Sequence, residues 1–147
     1  MNIADIISKD AVLDNVQASN KRELIQILSK KIANTSKLDE RVIFDAVWER
    51  ENLGSTGYGD GVAFPHARIE GLEKVSAMFA RLDEAVDFDS LDGKPVDLVF
   101  LLISPENSGA DHLTALASLS RILKTEGVCE KLRKAHSVDE IYTILNS

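Results

Sequence analysis

Residues 96–123 read VDLVFLLISPENSGADHLTALASLSRIL. From Val96 to Ile103 the run is almost continuously apolar. A strand that is wet on one face alternates in polarity, and one covered on both faces does not. This stretch therefore predicts a central strand with helices or other layers on either side, ending at Ser104-Pro105. Asp111 then opens a helix in which Leu113, Leu116, Ser120 and Leu123 form the expected inward row, with Gly127 as its stop. A doubly covered strand feeding a helix through a short loop is the repeating step of an α/β layered fold.

Working outward, VSAMFARL (75–82) alternates loosely like a half-buried strand, and AVLDNVQA (11–18) has the β-branched content of another. Asn20 with Glu23 forms a capping box, so a helix starts there. Its Leu24, Ile25, Leu28 and Ile32 recur at helical spacing and belong to the core. A second helix, Asp39 to Glu51, groups Ile43, Phe44, Val47 and Trp48, and Gly54 stops it. Near the end of the chain, the segment Cys129 to Lys134 reads as a short helix, and Ser137 with Glu140 caps another. No linker, repeat or low-complexity tract divides the sequence. The expectation is a single domain, 1–147, built as a three-layer α/β/α sandwich whose central mixed β-sheet is flanked by helices.

Composition narrows the function classes. The chain has 147 residues, 44% hydrophobic and 28% charged, as an ordinary globular domain does. Lys and Arg total 17 against 24 acids, a net charge of -7, with no basic run. Nucleic acid is a poor partner for such a surface, because binding it relies on clustered cations. A basic protein surface is a better one. The single cysteine, Cys129, allows no intrachain disulfide. The N-terminus MNIADIISKD lacks the cationic and apolar regions of a signal peptide, and no apolar run approaches the ~18 residues of a membrane span. The expected location is cytoplasmic, without membrane insertion.

The chemistry concentrates in GSTGYGDGVAFPHARIEG, Gly54 to Gly71. Gly57, Gly59 and Gly61 can reach positive φ at little cost, and their amides could converge on an anion, so they are candidates for a phosphoryl-binding loop. The bland alternative is a flexible turn after the second helix. The pattern matches neither G-x-x-x-x-G-K-[ST] nor G-x-G-x-x-G, so a bound nucleotide has no support. Val62-Ala63-Phe64 reads as a brief strand, after which Pro65 delivers His66 at a strand end, where α/β sheets place their ligands. His112 follows the terminal loop of the apolar strand, and Arg50 precedes the glycines. A neutral imidazole as nucleophile, with a guanidinium and backbone amides balancing charge, suits phosphoryl transfer. Each residue also has an ordinary structural explanation. His136 is expected to be a solvated helix-end residue and Cys129 a small hydrophobe. A competing reading has His66, His112 and Asp60 or Asp111 binding zinc for hydrolysis, although no tight ligand motif is present.

At these residues the sequence resembles the mannitol/fructose-type EIIA domains of the bacterial phosphotransferase system, most closely the nitrogen-regulatory branch, EIIA-Ntr. ERENLGSTGYGDGVAFPHARIEG, FDSLDGKPVDLVFLLISP, DHLTALASLSRIL and EKLRKAHSVDEIYTIL carry the resemblance in order, over nearly the whole chain. It implies that His66 is transiently phosphorylated, on Nε2, by the phosphohistidine of an HPr-like carrier such as NPr. No metal, nucleotide or other cofactor is implied. It also implies that His112 orients or hydrogen-bonds near the phosphoryl group and that Arg50 is the active-site arginine. Tyr58 and Phe64 stand where smaller aliphatics are common, and Ala67-Arg68 replaces the more familiar Gly-Lys. Within the family, a nitrogen-type member regulates target proteins according to its phosphorylation state, whereas a sugar-type member passes phosphate to an EIIB.

Overall fold

Strand β6 (Val96–Pro105) forms the spine of a six-stranded sheet in a computed structural model that describes residues 3–146. The expected domain limits, 1 and 147, lie outside the described residues. In chain order the preceding elements are α1 (Ile3–Ile6), β1 (Val12–Val16), α2 (Lys21–Ser36), α3 (Glu40–Leu53), β2 (Gly57–Gly59), β3 (Val62–Ala63), β4 (His66–Ile69) and β5 (Ser76–Val86). After β6 come α4 (Asp111–Lys124), α5 (Val128–Lys134) and α6 (Val138–Leu145).

The sheet is mixed. β6 pairs antiparallel with β5, while β1 joins β5 in parallel on the far side. The other edge of β6 takes β3 and then β4, both parallel, with Val62 opposite Leu98 and His66 opposite Leu102. These two short strands are one edge interrupted at Phe64-Pro65. Proline has no N–H to give to the ladder, but its carbonyl still accepts from the Leu102 amide at 3.0 Å. From Leu98 to Ile103 every residue of β6 is at most 1% exposed, as its unbroken apolar run requires. Phe79 and Phe100 face each other in register with ring centroids 4.8 Å apart, and each such side chain contributes about 1.5–3 kcal/mol by leaving water. α2 and α3 pack on each other and reach β5 and β4, whereas α4 covers β6, α6 covers β1 and α5 joins α4 to α6. Helices thus flank the sheet in an α/β/α arrangement.

The caps form as the sequence predicts. Asn20 accepts from the Glu23 amide at 2.8 Å and Ser137 from the Glu140 amide at 3.1 Å; the glutamates reach back to the Ser19 and His136 amides. Three expectations need correction. Leu123 is buried as expected, but Leu113 is 63% exposed, and the rest of the inward face is His112, Ala115, Ser118 and Leu119, about one residue round from the predicted row. Gly127 does not stop that helix. α4 ends at Lys124, and Gly127, with φ of 82°, starts α5. His66–Ile69, read only as the end of a strand, is a strand in its own right.

Candidate functional site

His66 begins β4, at the carboxyl-terminal half of β6, where the edge strand has just been broken by Pro65. β2 extends the sheet only beside β3, so beyond Pro65 the edge is met by α3 and not by another strand. The result is an open cleft of about 430 Å³ lined by Ala46, Glu49, Arg50, Leu53, His66, Ala67, Arg68 and His112. The His66 Nδ1 atom lies 2.8 Å from the Phe64 carbonyl oxygen. A carbonyl can only accept, so Nδ1 carries the proton and Nε2 keeps its lone pair. Burial, the largest influence, pushes the imidazole below its ordinary pKa; the Arg50 charge adds to this, and the Phe64 hydrogen bond and Glu51 oppose it.

His112 faces it from the first turn of α4. The two rings are 5.5 Å apart, centroid to centroid, and tilted by 51°. Its Nδ1 is 2.7 Å from the hydroxyl of Ser104, itself wholly buried. Burial, then the nearby His66 and Arg68, lowers His112 to about 4. Both imidazoles are therefore neutral at neutral pH.

Arg50 is brought to the same cleft, with its Nη1 donating to the Gly54 carbonyl at 2.9 Å across the end of α3. Beside it Glu51 is 4% exposed and pairs with the Lys21 ammonium at 2.7 Å. Glu51 also accepts from the Thr56 amide at 3.1 Å and from the Thr56 hydroxyl. The Thr56 carbonyl in turn accepts from the Phe64 amide at 3.0 Å. A chain of hydrogen bonds thus runs from Glu51 through Thr56 and Phe64 to the His66 ring. Glu51 and Ser104 are not among the candidates named from the sequence. Signals for both were present. Glu51 continues the helical row of Ile43 and Val47, and Ser104 continues the face of Leu102 at strand spacing.

Gly57, Gly59 and Gly61 are not brought to this cleft. They form and flank the β2–β3 turn, whose Gly61 carbonyl accepts from the amides of Asp97 and Leu98 at the opposite end of β6. Four residues separate that register from Leu102, about 13 Å along a strand. The expectation that these amides face His66 does not hold. The glycines instead allow close packing. A Cβ at Gly57 would collide with Ser90, and one at Gly61 would lie 2.5 Å from the Arg133 guanidinium, which spans Asp97 and the Asp60 carbonyl. Asp60 shares that distant turn, and among the described residues no three His, Cys, Asp or Glu side chains gather as a metal site. Asp111 opens α4 beside His112 and is exposed. His136 is exposed at the α6 cap, and Cys129 is half-buried, its thiol pushed up by burial. No described helix is long and apolar enough to cross a membrane.

Solved structures of IIA proteins of the phosphotransferase system share this mixed α/β/α fold. The chain belongs to the family described as "Phosphoenolpyruvate-dependent sugar phosphotransferase system, EIIA 2", which matches residues 5–147. It is 43% identical over 145 residues to the nitrogen regulatory protein of Bradyrhizobium diazoefficiens, covering 99% of this chain and 95% of that protein. The crystal structure of nitrogen regulatory protein IIA-Ntr from Neisseria meningitidis is similar at a TM-score of 0.92 and 34% identity, over 97% of this chain and 98% of that one. The crystal structure of IIA mannitol from Escherichia coli is similar at a TM-score of 0.79 and 25% identity, over 92% and 96% of the two chains.

Proposed function

We propose that this chain is a phosphocarrier of a nitrogen-related phosphotransferase system. His66 accepts a phosphoryl group from the phosphohistidine of an HPr-like (NPr) carrier in the cytoplasm, and the phosphorylation state then governs binding to target proteins. The observation that carries the reading is the His66 Nδ1 to Phe64 carbonyl contact, which leaves Nε2 as the nucleophile. Its lone pair attacks the phosphorus of the carrier, the new N–P bond forms as the carrier's N–P bond breaks, and that electron pair returns to the carrier's imidazole. The ring retains its Nδ1 proton, held by Phe64. One phosphoramidate replaces another, so the protein chiefly positions the groups and offsets phosphoryl charge.

Arg50 supplies a planar cation beside the nucleophile. In the tautomer that has the Ser104 hydroxyl donating to Nδ1 of His112, the His112 Nε2–H is a donor available to the phosphoryl oxygens. Its low pKa keeps the ring from adding a full charge next to His66. The likeness to the mannitol IIA supports a second reading, in which the phosphoryl group passes on to an EIIB.

Incubation with phosphoenolpyruvate, Enzyme I and an HPr-like carrier tests the proposal. The intact mass should rise by one acid-labile phosphoryl group, absent in His66→Ala. No rise with a carrier shown to be active on another EIIA contradicts it, and onward transfer to an added EIIB favours the second reading.

A further inference from the structure

Arg68 follows His66 by two residues in β4, and strand alternation puts their side chains on one face while Ala67 and Ile69 are buried on the other. Arg68 lines the same cleft as His66 and His112. In the present structure its guanidinium is turned along the cleft rim. Nη1 donates to the Ser108 hydroxyl at 3.1 Å, and Nη2 to the Gly109 carbonyl at 3.4 Å. Ser108 and Gly109 belong to the exposed turn between β6 and α4, a few residues before His112. Among the described residues Arg68 has no ion pair with a carboxylate; its partners are neutral oxygens, the second of them at a long 3.4 Å.

We propose that Arg68 is a phosphoryl-binding residue that reports the state of His66 to the 106–110 turn. With His66 free, the guanidinium clasps the turn. With a phosphoryl group on Nε2, the guanidinium swings to its oxygens and lets the turn go. Two residues along a strand span about 6.6 Å, within the reach of an arginine side chain. Ser108 and Gly109 offer the guanidinium single neutral acceptors, whereas a phosphoryl dianion offers two charged oxygens that a planar fork can bind together, so the exchange of partners favours the phosphoryl group. The surface whose mobility depends on phosphorylation is then the rim beside Leu113, an exposed apolar side chain at the start of α4. This inference rests on phosphorylation of His66, and it adds the segment through which that event becomes visible to a partner.

The test compares amide hydrogen exchange at residues 106–110 in wild type and Arg68→Gln, each free and phosphorylated. Phosphorylation is carried out with the carrier and, independently, with phosphoramidate, and loading of His66 is confirmed by intact mass and peptide mapping. Phosphorylated wild type should exchange about three- to tenfold faster in this turn than the free protein, the scale set by one lost hydrogen-bonded clasp. Free Arg68→Gln should already exchange at the faster rate, with no further gain on phosphorylation. An unchanged turn in wild type with His66 fully loaded overturns the proposal, as does a turn that remains protected in Arg68→Gln. Failure of the carrier alone to load His66 counts against the phosphocarrier reading, and the phosphoramidate arm still decides the role of Arg68.

Discussion

The Nδ1 atom of His66 and the carbonyl oxygen of Phe64 are 2.8 Å apart, two residues from each other across the proline that breaks the edge strand. The contact selects the tautomer, and burial holds the ring below its ordinary pKa. The free protein should therefore show a single His66 tautomer, protonated at Nδ1, throughout the neutral range in a long-range 1H–15N spectrum. The transfer rate should be flat near neutrality and fall only when pH drops below the unperturbed ~6.5. An Nε2–H tautomer in the free protein contradicts this.

His112 gives the fold an acid sensitivity. Its folded pKa is about 4, below the unfolded value near ~6.5, so the unfolded chain binds more protons between these limits. Its contribution is complete above ~6.5 and is lost as pH falls toward 4, a loss on the order of 3 kcal/mol when complete. His112→Gln, which keeps a polar group near Ser104 but cannot take up the proton, should show a shallower fall in denaturant midpoint between pH 6.5 and 4 than wild type. Parallel curves for the two proteins would remove His112 from that role. His112→Ala should also slow transfer while leaving His66 able to be labelled, since a positioning imidazole supports a nucleophile without replacing it.

Glu51 and Lys21 are a buried pair, their side chains 1% and 13% exposed. Replacing Glu51 alone by Leu leaves a buried ammonium without its close partner and should cost about 3–5 kcal/mol in chemical denaturation. The double variant Lys21→Met, Glu51→Leu should recover most of that loss, because paired charges cost desolvation that apolar groups do not. Transfer should remain slow in the double variant, since Thr56 still lacks the carboxylate that holds it and, through Phe64, the His66 ring. Wild-type transfer in a refolded, stable double variant would make Glu51 purely structural.

Much of this fold is legible in the sequence where one residue decides one local event. Asn20, Asp39 and Ser137 announce their helices because a cap involves neighbours a few positions away. The unbroken apolar run of β6 announces its burial. His66, His112 and Arg50 are legible as a set because the glycine turn and Pro65 mark an edge, and the structure gathers all three in one cleft. What escapes is set by distant partners. The glycines look like an anion loop until Ser90, Arg133 and Asp97 are seen filling the space that their missing side chains leave. Leu113 looks internal until the neighbouring His112 is found buried against Ser104. Glu51 looks like a surface acid at a helix end until Lys21, thirty positions away in sequence, is found opposite it.

Arg50 holds two positions at once, bonded to the Gly54 carbonyl at the end of α3 and lining the cleft with His66. As a helix-end cation it is replaceable by lysine; as a fork for phosphoryl oxygens it is not. Arg50→Lys should slow single-turnover transfer and Arg50→Ala should slow it further, with stability changed by no more than about 1 kcal/mol in either. Normal transfer in Arg50→Lys, together with a marked stability loss in Arg50→Ala, would confine this arginine to capping the helix.

Whether Nε2 of His66 takes the phosphoryl group, as proposed, can be read directly from the linkage. After phosphorylation by the carrier, a long-range 1H–15N spectrum of the histidine rings should show one ring changed, that of His66. Its Nε2 should carry the phosphorus and its Nδ1 the proton still donated to Phe64, with His112 and His136 unmodified. Phosphorus on Nδ1 of His66, or on either of the other two rings, would contradict the account.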